Sequence, residues 1–190
     1  MKFKNTYIDP EEIHHLRDKF VSGDNDAYST FYELYAKDLY AFGISLHVKS
    51  QVIEDAIHDV FVEIYAHRKN LANVDNVKFY FLTAFRNRLF FLIKKSSHDF
   101  ELTESNTIGL KEKDYQEILI ENENSSENEL LLKQLLSELN QNQREAIYHR
   151  YVEGLSYEEI STLMNINYQS AKNLIHRAIK KLKSIQHLVH

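Results

Sequence analysis

Residues that let a backbone turn sharply are nearly missing from this chain, which has one proline and four glycines among 190 residues. Reverse turns draw on glycine for positive φ and on proline for a fixed φ. An antiparallel sandwich or barrel, which reverses about every 8–12 residues, would lack its punctuation. A glycine-rich phosphate loop is excluded as well, because neither GxGxxG nor GxxxxGKS/T occurs. The expectation is an all-α fold.

The absence of cysteine removes disulfide frameworks and Cys-ligated metal sites. It fits a reducing compartment, and a cytoplasmic location is expected. No basic start leads into an apolar run, so no secretory signal peptide is expected. The apolar stretches are short and interrupted by charge, so the chain is expected not to insert into a membrane. Ten histidines raise the question of metal, but none pairs with carboxylates at a ligand-like spacing. No nucleophile motif such as GxSxG is present. The expectation is a non-enzyme with no catalytic residues, no metal and no cofactor.

The formal net charge of −5 conceals a strong segregation. Residues 78 to 98 carry five basic and no acidic side chains, and residues 166 to 190 do the same. Between them, residues 99 to 129 carry ten acidic and two basic ones. Blocks of one sign create local fields that a whole-chain charge hides. Two basic segments suggest two contacts with a polyanion; the alternative is the preference of helix C-termini for cations.

Helical periodicity organises the rest. Asp9-Pro10 opens a helix that Gly23 closes. A second helix over 25–48 has Phe31, Leu34, Tyr35, Leu39 and Phe42 on one face. A third over 50–67 aligns Ile53, Ile57, Val60, Phe61 and Ile64, and a fourth over 77–95 aligns Leu82, Phe85, Leu89 and Leu92. Polar, acidic sequence around ENENSSEN then reads as a linker. Helices resume over 129–138, 141–153, 157–164 and 168–186. The plan is two small helical domains, 1–97 and 129–190, joined by a flexible acidic linker, 98–128, with a helix-turn-helix in the C-terminal domain.

That motif is the clearest local signal. Ser156-x-x-Glu159 is a capping box. Asn165-Ile166 makes a tight turn with Ile166 buried between the helices, and Asn167 caps the next helix. Ala171, Leu174, Ile175, Ala178 and Leu182 face inward, which leaves Tyr168, Gln169, Ser170, Lys172, Asn173, His176 and Arg177 outward. Amides read adenine, Arg reads guanine, and Lys or Ser reaches phosphate. The spacing favours DNA binding over an ordinary helical hairpin with a solvated face.

Two further features are open to two readings each. In KFYFLTAFRNRLFFLIKK, residues 78–95, Tyr80, Ala84, Asn87, Phe91 and Lys94 form a face apart from the leucine stripe. It is either a stacking surface for unpaired bases or a helix buried on several sides. Upstream, Asp55, Asp59 and Glu63 repeat at i, i+4 and i+8 beside His58. The ridge is either a docking surface for a basic partner or a solvated acidic face.

Together these stretches match a family. The chain resembles bacterial RNA polymerase sigma factors of the extracytoplasmic-function (ECF) type, over about residues 24–97 and 129–186. AYSTFYELYAKDLYAFGISL is similar to the family's opening helix, and VIEDAIHDVFVEIY to its polymerase-binding helix. VKFYFLTAFRNRLFFLIKK is similar to its promoter-melting helix. LLSELNQNQREAIYHRYVEGLSYEEISTLMNINYQSAKNLIHRAIKKLK is similar to its promoter-recognition domain.

The resemblance implies a promoter-specificity subunit that binds core RNA polymerase, recognises minus-35 and minus-10 elements and promotes melting. Asp55, His58, Asp59 and Glu63 would meet the clamp helices of the largest polymerase subunit. Arg68, Lys69, Asn76, Tyr80, Asn87, Phe91, Lys94 and Lys95 would act at the minus-10 element. Tyr168, Gln169, Ser170, Lys172, Asn173, His176 and Arg177 would act at the minus-35 element. An anti-sigma factor, often membrane-bound in this family, is an implied partner beside polymerase and promoter DNA. The chain departs from the family's usual residues at His58 (Gln), Tyr80 (Trp), Phe91 (Asp), Leu174 (Arg) and Asn140 (Pro). The alternative is a helix-turn-helix regulator that binds duplex DNA without polymerase.

Overall fold

A computed structural model describes residues 9–103 and 136–186. Expectations for residues 104 to 135, including most of the acidic linker and of the 129–138 helix, lie outside the described residues. Every regular element among the described residues is helical. The chain divides into two compact units, Met1–Ile44 with Val48–Glu104 and Ser45–His47 with Ser105–His190.

In the first unit, helix α1 (Pro10–Ser22) starts and stops on local chemistry. The Asp9 carboxylate accepts from the Glu11 amide at 3.0 Å, and Gly23, with φ 94°, turns the chain out of the helix. Asp24 then accepts from the amides of Asp26 and Ala27 and opens α2 (Asn25–Ser45). Helix α2 buries Phe31, Tyr35, Leu39 and Phe42, as its spacing predicts, while Leu34 is half-buried. Helix α3 (Ser50–Ala66) buries all five apolar residues of its expected stripe. Gly43 lets α2 approach α3, since a Cβ there would stand 2.7 Å from the Ile53 side chain. That separation is shorter than van der Waals contact, so the glycine is needed for space.

A 3-10 helix (Arg68–Asn73) packs on α1 and leads to α4 (Val77–Thr103), which packs on α3. Helix α4 runs eight residues past the expected end at 95; nothing in SSHDFELT, which lacks Gly and Pro, forces a stop. Its buried side is wider than the leucine stripe. Leu82, Phe85 and Leu89 are buried, Leu92 is half-buried, and Val77 and Phe81 are buried too. The Phe81 ring sits 5.0–5.7 Å from those of Phe61, Tyr35 and Phe31, so three helices meet in one aromatic cluster. Burying each such ring contributes about 1.5–3 kcal/mol. The wide buried face accounts for Phe81 but not for Phe91, which is 55% exposed.

In the second unit, α5 (Gln141–Tyr151) opens on a capping box between Asn140 and Gln143. It buries Arg144, whose guanidinium donates to the carbonyls of Leu136 and Leu139, and also Glu145 and His149, which pair at 3.6 Å. Helix α6 (Tyr157–Met164) opens on the expected Ser156–Glu159 box and ends at Asn165, which adopts φ 52°, ψ 48°. Asn is among the few residues other than Gly that enter this left-handed region readily. Helix α7 (Tyr168–Gln186) begins where Asn167 accepts from the Ser170 amide at 2.7 Å. Ala146, Ile160, Met164, Ala171 and Ile175 form the core. Ile166, expected to be buried between the helices, is only partly buried against that core, because the turn that holds it lies at the surface.

Candidate nucleic-acid interface

The α4 surface of the first unit carries an open groove of about 460 Å³, bounded by α3, the 3-10 helix and α4. Tyr80, Ala84, Asn87 and Phe91 supply one wall at spacings of four, three and four, as expected of one helix face. Val60, Glu63 and Ile64 from α3, with His67 and Asn70, supply the other. Its volume lies within the usual range for clefts that take small molecules or single rings. It offers flat aromatic rings, amides, an imidazole and a carboxylate, the groups that stack on a base and bond to its edge.

The expected minus-10 residues do not all gather there. Tyr80, Asn87 and Phe91 line the groove, whereas Arg68, Lys69, Asn76, Lys94 and Lys95 do not. Asn76 caps α4, its side chain accepting from the Phe79 amide at 3.0 Å. The Arg68 guanidinium lies over the Tyr65 ring at 5.1 Å and donates to the Tyr65 carbonyl. It also lies so near Gly23 that a Cβ there would come within 3.3 Å of it. Lys69, Lys94 and Lys95 are exposed, as a phosphate contact requires.

Sequence reasoning missed His67 and Arg88 in this groove. Arg88 donates from Nε and Nη2 to Asp59 Oδ2 on α3, at 2.8 and 2.6 Å, and its Cζ lies 5.1 Å from the centre of the Phe91 ring. The ion pair spans 29 positions, so no helical spacing announces it; only the three-residue step from Arg88 to Phe91 is legible locally. On the acidic ridge, Asp55, His58 and Glu63 are exposed, while Asp59 is half-buried in its pair with Arg88. Glu63 is therefore shared between ridge and groove.

Helix α7 presents its expected face almost intact. Tyr168, Gln169, Lys172, Asn173, His176 and Arg177 are exposed, and Ser170 is half-buried. Gln169 Nε2 donates to Asn173 Oδ1 at 3.0 Å, and Arg177 Nε donates to the Asn173 carbonyl at 3.3 Å. Tyr168 meets Tyr157 of α6 edge-on at 6.1 Å, which ties the start of α7 to the bracing helix. A helix so braced and so polar outward can enter a major groove.

Among the described residues no helix is long and apolar enough to cross a membrane. No cluster of three or more His, Asp or Glu residues able to hold a metal occurs there either.

Known proteins share this organisation. Residues 129–182 match the family model for sigma-70, region 4. The ECF RNA polymerase sigma factor SigM of Bacillus subtilis (strain 168) is 29% identical over 154 residues, covering 81% of this chain and 91% of that protein. The sigma factor RpoE of Bartonella quintana, solved in complex with the anti-sigma factor NepR, has the same fold, with a TM-score of 0.64 at 22% identity. That match covers 86% of this chain and 98% of RpoE. CnrH, solved in complex with the cytosolic domain of CnrY, matches with a TM-score of 0.65 at 15% identity over 92% of this chain and 97% of its own. Residues 129–182 thus carry a sigma-70 region 4, and along most of its length the chain is similar to a curated ECF RNA polymerase sigma factor.

Proposed function

We propose that this chain is a sigma factor of the ECF type, a promoter-specificity subunit of RNA polymerase, and that it reads its promoter in two physical states of DNA. Helix α7 reads the minus-35 element as duplex, through Gln169, Asn173, His176 and Arg177 at base edges and Lys172, Ser170 and Tyr168 at the backbone. The α4 groove takes the minus-10 element as unpaired strand, with Tyr80 and Phe91 stacking, Asn87 bonding to base edges, and Lys69, Lys94 and Lys95 following phosphates. The observation that carries this division is Phe91, a large aromatic left 55% exposed on the groove wall of an otherwise well-packed helix. An exposed ring beside an amide suits a base with both faces free, whereas the base faces of an intact duplex are already stacked on one another.

Polymerase binds α3 through Asp55, His58 and Glu63. Residues 1–97 thus serve core binding and melting, residues 129–190 upstream recognition, and 98–128 connect them. The protein acts by binding alone, without catalytic chemistry, in the cytoplasm where polymerase and chromosome meet. Because RpoE was solved in complex with the anti-sigma factor NepR, an anti-sigma factor is the expected regulator, and it competes for these same surfaces.

A run-off assay tests the reading. Core polymerase with the purified chain should start transcripts at discrete sites on a genomic library, and core alone should not. Retention on duplex DNA without polymerase, together with no promoter-dependent transcript, would instead favour a plain helix-turn-helix regulator.

A further inference from the structure

The Asp59–Arg88 pair joins two helices that the family resemblance gives to different partners. Asp59 stands in the middle of the acidic ridge, four residues from both Asp55 and Glu63, yet its Oδ2 is taken by Nε and Nη2 of Arg88. The two side chains are 39% and 35% exposed. Pairs so open to water add little to stability, because solvent screens them and ordering both side chains costs entropy. What such a pair does fix is geometry. Two donors on one carboxylate oxygen hold the edge of the guanidinium plane, and the Phe91 ring lies 5.1 Å from its centre. Arg88 and Phe91 both line the groove.

We propose that Arg88 is a positioning residue. Pinned by Asp59, it stacks against Phe91 and holds the exposed ring as a platform for one unpaired base of the melted strand. Asp59 then serves promoter opening and not polymerase docking, which leaves the ridge to Asp55, His58 and Glu63. An unsupported phenylalanine rotates among rotamers and loses that freedom when a base stacks on it. A ring already ordered by a planar cation loses less, so the base binds more tightly without any new contact to it. Lysine cannot replace arginine here, since it carries the charge but not the plane.

This inference rests on the two-state promoter reading above, and one experiment separates their failures. Holoenzyme is assembled from core polymerase and the full chain on a promoter mapped by transcript sequencing. Permanganate reactivity of unpaired thymines measures the open fraction, and fluorescence anisotropy measures core affinity separately. Phe91→Ala should lower opening by about tenfold, the scale of one lost base–aromatic stack. Arg88→Ala, Arg88→Lys and Asp59→Asn should each lower it by about two- to fivefold, the scale of one cation–π contact. Core affinity should stay unchanged throughout, and none of the three should add to Phe91→Ala. Undiminished opening in Arg88→Ala and Asp59→Asn, losses that add to Phe91→Ala, or weakened core binding in Asp59→Asn would each overturn the inference alone. A wild-type chain that opens no promoter would overturn the underlying reading as well.

Discussion

Residues 78–98 of α4 and the whole of α7 are both basic and acid-free, and both are proposed to meet DNA, yet the two helices are built in opposite ways. Helix α7 is specified locally. Its start is capped by Asn167, its brace is capped by Ser156 and Glu159, and its outward residues other than Ser170 are exposed. Helix α4 is specified by tertiary structure. It buries Val77, Phe81, Leu82, Phe85 and Leu89 against neighbouring helices, and its exposed Phe91 ring lies beside a cation that pairs with α3. On the reading proposed above, the difference follows the state of the DNA each one would read. Duplex offers a regular groove, for which a rigid polar helix suffices. An unpaired base must be captured between surfaces that separate elements bring together.

The sharpest way to break this comparison is through α4's packing. Phe85 is wholly buried and its ring lies 6.1 Å from that of Phe42 on α2. Phe85→Ala should lower stability by about 3–5 kcal/mol in urea unfolding, the usual scale for a truncated core aromatic. A cost under about 1 kcal/mol, far below that scale, would mean that tertiary packing does not hold α4 as described.

A smaller effect is expected where structure is local. Asn165→Ala places an ordinary residue at φ 52° and should cost about 1–2 kcal/mol, whereas Asn165→Gly should be nearly neutral. The same unfolding measurement checks both. Equal losses for Ala and Gly would show that the Asn165 side chain, and not its backbone angle, matters at the turn.

The same division explains how much the sequence disclosed. The helix-turn-helix, its two caps, the turn at Asn165 and nearly the whole outward face of α7 were legible, because each depends on neighbours within about four positions. So were the ends of α1, set by Asp9 and Gly23. The α4 groove was half legible. Spacing placed Tyr80, Asn87 and Phe91 on one face, but Asn76 turned out to cap the helix and Arg68 to pack against Tyr65 beside Gly23. No periodic rule distinguishes a cation that follows phosphate from one that braces a loop. Arg88 and Asp59 attract only after α3 and α4 have packed, and buried Glu145 and His149 sit in a stretch too polar to read as core. Gly43 could be counted in the sequence, but its reason, the close approach of Ile53, exists only in the fold.

Photo-crosslinking tests the central claim, that the two helices read two states of DNA, most directly. A photoreactive side chain is placed at position 91 or 176 of the full chain in holoenzyme. The account predicts that position 91 crosslinks to one strand of the downstream element, and only when the promoter is open. It predicts that position 176 crosslinks to the upstream duplex in both closed and open complexes. Equal crosslinking of position 91 to closed, fully paired promoter would contradict the account.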